Sequence, residues 1–546
     1  MKKNSFLEGA MITTLGIIIC KIIGLLYVIP FKNIIGEQGG ALYGYAYSIY
    51  AIFLSLSSSG IPVAMSKVIS EYNTWKYYHT KERAYKIGSY IIIGIGVFSF
   101  LILLIFAPTL AKLILGNLEG GNTIEGVTLV IRVVSTALLI VPLLSVTKGY
   151  LQGHNFMTES SLSSVLEQLT RVAVIIFGSF AALKAFNLSL ETAVGIAVFG
   201  ATVGALVAYF YLLYKIKKNR NALKKDEVVT RAEAKITNKE IVYKIISYAL
   251  PFIIIELVKS ANSMIDTMTV VNTLVNLGHS QIAETTIGVL NVWASKLNMI
   301  VTSIALGITI SLIPNLSSSF ANKNMEDVSH KINQSLQLIL FISLPMTIGL
   351  GFLARPVWTA FYGYDIFSIN LFEIFVYQAI TFSIYSILID SAQTLNNTKL
   401  ALGTLIGSFI SKAILNIPMM YLFNYLKIGP QYAPIITNLV IHVVAISILL
   451  YCINKKYQVN YTKTFYNSMK VILCSGIMLI SLKIVSLFWP ISATTRSSAL
   501  LEIAVYSLIG AIIYIVATLR SQTMSAILGD NFINRITGMI KSKIKK

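Results

Sequence analysis

Three stretches of this chain, residues 87–111, 297–322 and 332–354, contain no charged side chain, and that absence limits the fold more than any motif does. A helix needs about 20 apolar residues to cross the hydrocarbon of a bilayer, and each stretch exceeds that length. Similar blocks recur along the whole chain, whose residues are 55% hydrophobic and 12% charged, with a mean hydropathy of +0.73. A soluble domain carries roughly 25% charged residues to cover its surface. In lipid the backbone must satisfy its own polar groups, so apolar blocks of this length become helices. The pattern predicts an all-α polytopic membrane protein.

Apolar blocks bounded by charged or Gly/Pro/Asn-rich turns give fourteen spans, near 9–30, 42–69, 88–111, 127–150, 160–184, 190–214, 242–270, 285–314, 332–354, 370–394, 400–423, 432–453, 467–490 and 499–519. The initial Met1-Lys2-Lys3 and apolar run resemble a signal peptide only at first. Lys21 interrupts the run, which continues to Pro30 with no small-residue cleavage site after it, so it is expected to be the first span. Cys20, Cys452 and Cys474 are too few and too scattered for a disulfide framework or a metal site.

Charge tests the count independently. With the N-terminus in the cytoplasm, the inside loops carry Lys76, Lys81, Arg83 and Lys86, then a linker, then Lys323 and Lys331, then Lys455, Lys456 and Lys463, then a tail with Arg520, Arg535 and four lysines from Lys541 onward. The outside loops hold isolated bases such as Lys32, Lys112, Arg355, Lys427 and Arg496. This positive-inside pattern stays in phase only if both termini are cytoplasmic. A formal net charge of +21 therefore reads as attraction to anionic inner-leaflet lipid, not to nucleic acid.

The longest polar stretch, Lys215–Lys244, has ten basic and four acidic residues and divides the spans into six and eight. Two weak echoes relate the halves. Gln152-Gly153-His154-Asn155 precedes Arg171, and Gln393-Thr394-Leu395-Asn396 precedes Lys412, each Gln-to-base interval being nineteen residues. Gly60-Ile61 is matched by Gly307-Ile308. Parallel repeats of this kind are a transporter architecture. The expected organisation is a six-helix lobe over 1–216, a basic linker over 217–240, a second six-helix lobe over 241–456, and an additional helix pair with a basic tail over 457–546.

Ionisable groups at bilayer depth are costly and normally face a water-filled cavity or a partner charge. The first span carries Lys21, the second Lys67, the seventh Glu256, Lys259 and Asp266, and the eighth Lys296. Glu256 and Lys259, three apart, share a helical face, and Asp266 returns to that side seven residues later. Two readings stand side by side here, an internal ion pair that joins helices and a lining for substrate or ion passage. Lys21, Lys67, Lys259 and Lys296 outnumber the nearby acids, so a cavity they shared would be cationic and would attract an anion, phosphate above all. Glu167 and Arg171, four apart, read as a structural salt bridge, with Lys412 the counterpart base in the second half. Arg132 and Lys148 lie near span ends, from which such side chains snorkel. Among several intramembrane prolines, Pro251 stands five residues before Glu256 and is the one associated with gating.

The segments Gly60-Ile61-Pro62-Val63-Ala64 and Gly149-Tyr150-Leu151-Gln152-Gly153, the six-plus-six-plus-two span order and the bases of helices one, two, seven and eight resemble the multidrug/oligosaccharidyl-lipid/polysaccharide exporter superfamily, in its MurJ-like and stage V sporulation protein B-like branch. The resemblance implies a non-enzymatic flippase in the bacterial cytoplasmic membrane, working as a monomer beside cell-wall synthesis proteins. Its cargo would be an undecaprenyl-pyrophosphate-linked glycan, either lipid II or another polysaccharide or teichoic acid precursor. It implies that Lys21, Lys67 and Lys296 hold the headgroup, that Glu256 and Asp266 serve ion coupling or cavity charge, and that the last two helices shape a groove for the lipid tail. Better-known members use arginines where this chain has lysines. No cofactor is implied beyond coupling to a monovalent cation gradient or the membrane potential, and no G-x-x-x-x-G-K-[ST] loop for ATP appears. A cationic-drug exporter of the same fold would need an acid-dominated cavity. A membrane glycosyl transferase would need clustered acids in a large loop, whereas the longest loop here is basic.

Overall fold

The computed structural model describes residues 6–56, 60–116, 118, 120–219, 233, 236, 237 and 238–529. Most of the basic linker and the whole basic tail beyond Gly529 lie outside the described residues. The described chain forms two compact units in succession, Met1–Trp293 and Ala294–Lys546.

In the first unit the helices are α1 (Phe6–Leu26), α2 (Val28–Leu54), α3 (Ile61–Thr74), α4 (Tyr78–Leu115), α5 (Ile124–Ser135), α6 (Ala137–Gly153), α7 (Met157–Ala173), α8 (Leu190–Lys218), α9 (Asn238–Asn276) and α10 (Ser280–Gly288). The second unit continues with α11 (Ala294–Ala321), α12 (Met325–Phe352), α13 (Ala354–Tyr362), α14 (Ile366–Phe375), α15 (Gln378–Thr394), α16 (Thr398–Tyr425), α17 (Ala433–Tyr457), α18 (Thr462–Phe488), α19 (Arg496–Arg520) and the short α20 (Thr523–Leu528). Among the described residues, twelve helices are long and apolar enough to cross a membrane, from Tyr78–Leu115 to Arg496–Arg520. They match the third to fourteenth spans expected from the sequence one for one.

The first two expected spans take another form. α1 and α2 meet at a 46° bend, and the second expected span is shared between α2, which ends at Leu54, and α3, which begins at Ile61. Gly60 and Pro62 account for the restart of that span. Gly60 caps α3 and Pro62 sits in its first turn, where the missing proline N–H costs no intrahelical bond. Elsewhere helix starts are set by side chains that accept from the exposed N–H groups of the first turn. Thr123 accepts from Gly126, Asn324 from Asp327, Asp365 from Ser368, and Thr237 forms a reciprocal capping box with Glu240.

The two halves repeat their turns. Residues in the left-handed region occur in pairs at Lys76 and Lys323 (φ 61 and 57), Gly116 and Gly363 (57 and 86), Asn155 and Asn396 (63 and 56), and Asn187 and Lys427 (49 and 56). In four of these turns, two in each half, the hydrogen bonds also agree. Tyr77 N donates to Tyr72 O at 2.9 Å, Phe156 N to Leu151 O at 2.9 Å, Asn324 N to Ser319 O at 3.0 Å and Asn397 N to Ala392 O at 2.8 Å. Each is the six-residue closure of a Schellman motif, which stops one helix and starts the next within three residues.

Candidate functional site

Within the first unit, α9 runs antiparallel to α2 and α3, and polar side chains bridge the seam along its length. At one end Glu71 accepts from Lys244 Nζ at 2.5 Å and from the Tyr248 hydroxyl at 2.9 Å. Lys67 Nζ stands 3.9 Å from the centre of the Tyr248 ring, and Lys244 Nζ lies 4.3 Å from that of Trp75. Farther along, Ser55 Oγ is 2.9 Å from Ser260 Oγ, and the Thr267 hydroxyl donates to Ser48 Oγ at 2.9 Å while accepting from Asn291 Nδ2 at 2.8 Å. Beyond the end of α9, Glu284 of α10 accepts from the backbone N–H and side-chain amide of Asn122 at 3.0 and 2.7 Å and from Tyr45 of α2 at 3.5 Å. The backbones come close enough that a Cβ on Gly60 would lie 2.5 Å from Ala249 O.

The two segments that carry the family resemblance also touch. A Cβ at Gly149 would lie 2.6 Å from Pro62 O and one at Gly153 2.7 Å from Ile69 Cβ, so α3 and α6 pack through the missing side chains. The Tyr150 hydroxyl reaches across to Glu82 at 2.7 Å. A cavity of 590 Å³ opens beside this contact, lined by Lys67, Ser66, Ser70, Glu71, Trp75 and Gln152.

Deeper in the same unit, Glu167 of α7 is held between two cations, Lys148 Nζ at 2.9 Å and Arg171 Nη2 at 2.7 Å. The three charges sum to +1. Tyr43, Tyr47 and Tyr50 of α2 lie within electrostatic reach of Arg171, with Tyr43 stacked on Tyr47 at 4.4 Å between ring centres. Lys148 thus does not snorkel as its position near a span end predicts. Its ammonium is instead largely buried against the Glu167 carboxylate.

The other expected residues fall as follows. Glu256 and Lys259 pair at 3.0 Å, half-exposed, and Asp266 is 6% exposed on the same helix. Lys21 is half-buried on α1, which packs against α7. Pro251 sits inside α9, which continues through it as helix. Lys296 belongs to the second unit, half-buried on α11. Lys412 is 2% exposed on α16, within electrostatic reach of His442, whose Nδ1 is 3.3 Å from the Thr381 hydroxyl. Sequence reasoning missed Glu71, Tyr248, Lys244 and Glu284. Lys244 reads as the end of the linker, and only the pairing of α9 with α3 shows its role.

In the second unit α18 and α19 attach to α12. An apolar cavity of 460 Å³ between them is lined by Phe341, Pro345, Leu350, Met478, Leu482 and Tyr514, among others. A buried amide ladder anchors α18 to α12 beside it: Gln337 donates to Thr464 at 2.8 Å and accepts from Asn467 at 2.9 Å, and Thr464 donates to Asn333 at 2.6 Å.

The family model described as polysaccharide biosynthesis protein matches residues 6–320. The lipid II flippase MurJ of Bacillus subtilis (strain 168) is 30% identical over 534 residues, 96% of this chain and 97% of that protein. This chain belongs to the polysaccharide biosynthesis protein family. Its place is in the MurJ-like branch of the multidrug/oligosaccharidyl-lipid/polysaccharide superfamily, whose members are transporters and not enzymes. The stage V sporulation protein B of the same organism is 23% identical over 342 residues, 62% of this chain and 63% of that protein. The fold agrees with that of a solved lipid II flippase MurJ in an inward closed conformation, at a TM-score of 0.62 and 17% identity, over 94% of this chain and 99% of that one.

For a member of this family the arrangement has a definite chemical capacity. The first unit offers cations and hydrogen-bonding seams, groups that suit an anion, and the second an apolar trough, which suits a hydrocarbon chain.

Proposed function

We propose that this chain flips an undecaprenyl-pyrophosphate-linked peptidoglycan precursor, lipid II, from the cytoplasmic to the outer leaflet by alternating access. The observation that carries the reading is the likeness to a lipid II flippase over 96% of this chain and 97% of the relative. The cationic bias of the intramembrane charges supports an anionic headgroup, with Lys21, Lys67 and Lys296 as its ligands and Lys259 held in check by Glu256. The apolar cavity along α12, α18 and α19 suits the polyprenyl tail, which stays in hydrocarbon while the headgroup crosses.

Glu256 and Asp266 are the groups proposed to couple transport to a monovalent cation gradient or to the membrane potential, since each charge moved is worth about 2.3 kcal/mol per 100 mV. The polar rungs along α9 are individually modest contacts, about 1 kcal/mol each, so one end of the seam can part without unfolding the unit.

The test is depletion in the native bacterium, with redundant flippases removed, and leaflet-resolved measurement of lipid II. Outer-leaflet lipid II should fall; an unchanged level, with loss of another polyprenyl-linked glycan instead, would assign the cargo to that polysaccharide or teichoic acid precursor. Lys21→Ala, Lys67→Ala and Lys296→Ala should each cut transport at least tenfold while membrane insertion stays intact. Full activity in all three would remove the cationic-ligand argument.

A further inference from the structure

α18 and α19 form a second cleft, separate from the apolar cavity that faces α12. It has a volume of 610 Å³, and its lining contains Leu473, Ile477, Ile512 and Val516 but no acidic residue. These four side chains are 44–64% exposed. Its floor is made by small residues, with Cys474 Sγ 3.4 Å from Ser521 Oγ. Two cations, Lys470 and Arg520, close one end of it. They stand at the same end of the helix pair, because Lys470 is one turn from Cys474 and Arg520 is adjacent to Ser521.

Among the described residues neither cation makes an ion pair. Lys470 Nζ instead stands 4.6 Å from the centre of the exposed Tyr466 ring, an aromatic at the level where such rings mark the membrane–water boundary. From Lys470 to Ile477, at 1.5 Å per residue, the apolar part runs about 10 Å into the hydrocarbon. The positive-inside pattern puts this rim, with Lys455, Lys456 and Lys463 nearby in sequence, at the cytoplasmic leaflet.

We infer that this cleft is a binding site for an anionic phospholipid of the cytoplasmic leaflet, its phosphate between Lys470 and Arg520 and one acyl chain along Leu473, Ile477, Ile512 and Val516. The pairing of two cations that make no ion pair among the described residues with an apolar trough matches a headgroup phosphate joined to hydrocarbon, and basic pockets between membrane helices bind anionic lipids on this principle. A zwitterionic lipid would bring its own cation against Lys470 and Arg520. The site stands whether or not lipid II is the transported cargo.

The test is native mass spectrometry of the full chain in detergent, titrated with phosphatidylglycerol or with phosphatidylcholine of the same acyl chains. Phosphatidylglycerol should be retained preferentially. Lys470→Gln and Arg520→Gln should each weaken it about fivefold and the double variant about thirtyfold, with phosphatidylcholine unaffected. Ile512→Trp, which fills the trough and leaves both cations, should abolish retention as well, and wild-type elution on size exclusion shows that each variant is folded. Equal retention of the two lipids, or undiminished preference in the double variant, overturns the site. Displacement of phosphatidylglycerol by an undecaprenyl diphosphate at equal concentration overturns the phospholipid as its occupant.

Discussion

Glu167 shows how a single carboxylate organises its surroundings. It neutralises Lys148 and Arg171 at 2.9 and 2.7 Å, and removing it leaves two cations facing one another with little water. Breaking a buried pair from one side costs about 3–5 kcal/mol, so Glu167→Gln should lower thermal stability in detergent sharply. Lys148→Met removes a charge that Glu167 can spare, because Arg171 remains, and should cost less than about 1.5 kcal/mol. Equal losses in the two variants, read by fluorescence-monitored melting, would contradict the triad. Glu233 makes a different kind of contact, outside the membrane. Partial burial raises the pKa of its carboxyl, but hydrogen bonds from the Thr80 hydroxyl at 2.7 Å and the backbone N–H groups of His79 and Thr80 at 2.7 and 2.9 Å outweigh that and hold it below the ordinary value of 4.5. A depressed folded pKa means that this cap on α4 is fully present above pH 4.5 and is lost as pH falls through the lowered value. Hydrogen exchange at the His79 and Thr80 amides should therefore accelerate only in that acid window, once corrected for intrinsic rates, and Glu233→Gln should remove the step.

Helices here are held to one another by polar rungs as much as by packing. Gln337 is the clearest case, donating to Thr464 and accepting from Asn467 in a buried contact between α12 and α18. Gln337→Leu alone strands the Asn467 amide, at a cost of about 1–3 kcal/mol. Gln337→Leu with Asn467→Leu strands less and should recover at least half of that loss in a thermal double-mutant cycle. Additive losses would mean that the ladder is not a coupled unit. The α9 seam follows the same logic. Its rungs, Glu71 with Lys244 and Tyr248, Ser55 with Ser260, and Ser48 with Thr267, follow one another along α9, so a helix with no strong amphipathic stripe still has a defined partner.

In the whole molecule, transport as proposed needs a tail path as well as a headgroup site. Gly510 lies on the wall of the apolar cavity, where a Cβ would meet Leu482 Cδ1 at 3.3 Å. Gly510→Phe should therefore fill the trough. It is expected to reduce flipping of an undecaprenyl-linked substrate at least tenfold in proteoliposomes and to spare a short-tailed analogue; equal loss for both would remove the trough from the path. The larger organisation was already legible in the residues. Third to fourteenth spans and the echoed turns at Asn155 and Asn396 follow from local sequence. The bend at Tyr27 and the start of a separate helix at Ile61 did not, because a polar-tinged apolar run reads alike whether it is one helix or two.

Sequence by itself determined that this chain enters a membrane, where most of its helices begin and end, and which family it resembles. Those outcomes sum local terms, the transfer of each apolar block into hydrocarbon and the capping of each helix end, and they need no knowledge of neighbours. Tertiary structure alone decided that Lys148 serves Glu167, that Lys244 and Tyr248 meet Glu71, and that Lys470 and Arg520 close one cleft. A charge in a low-dielectric interior chooses its partner by distance in space, and residues 19 or 173 apart in the chain become neighbours only when the helices that carry them pack.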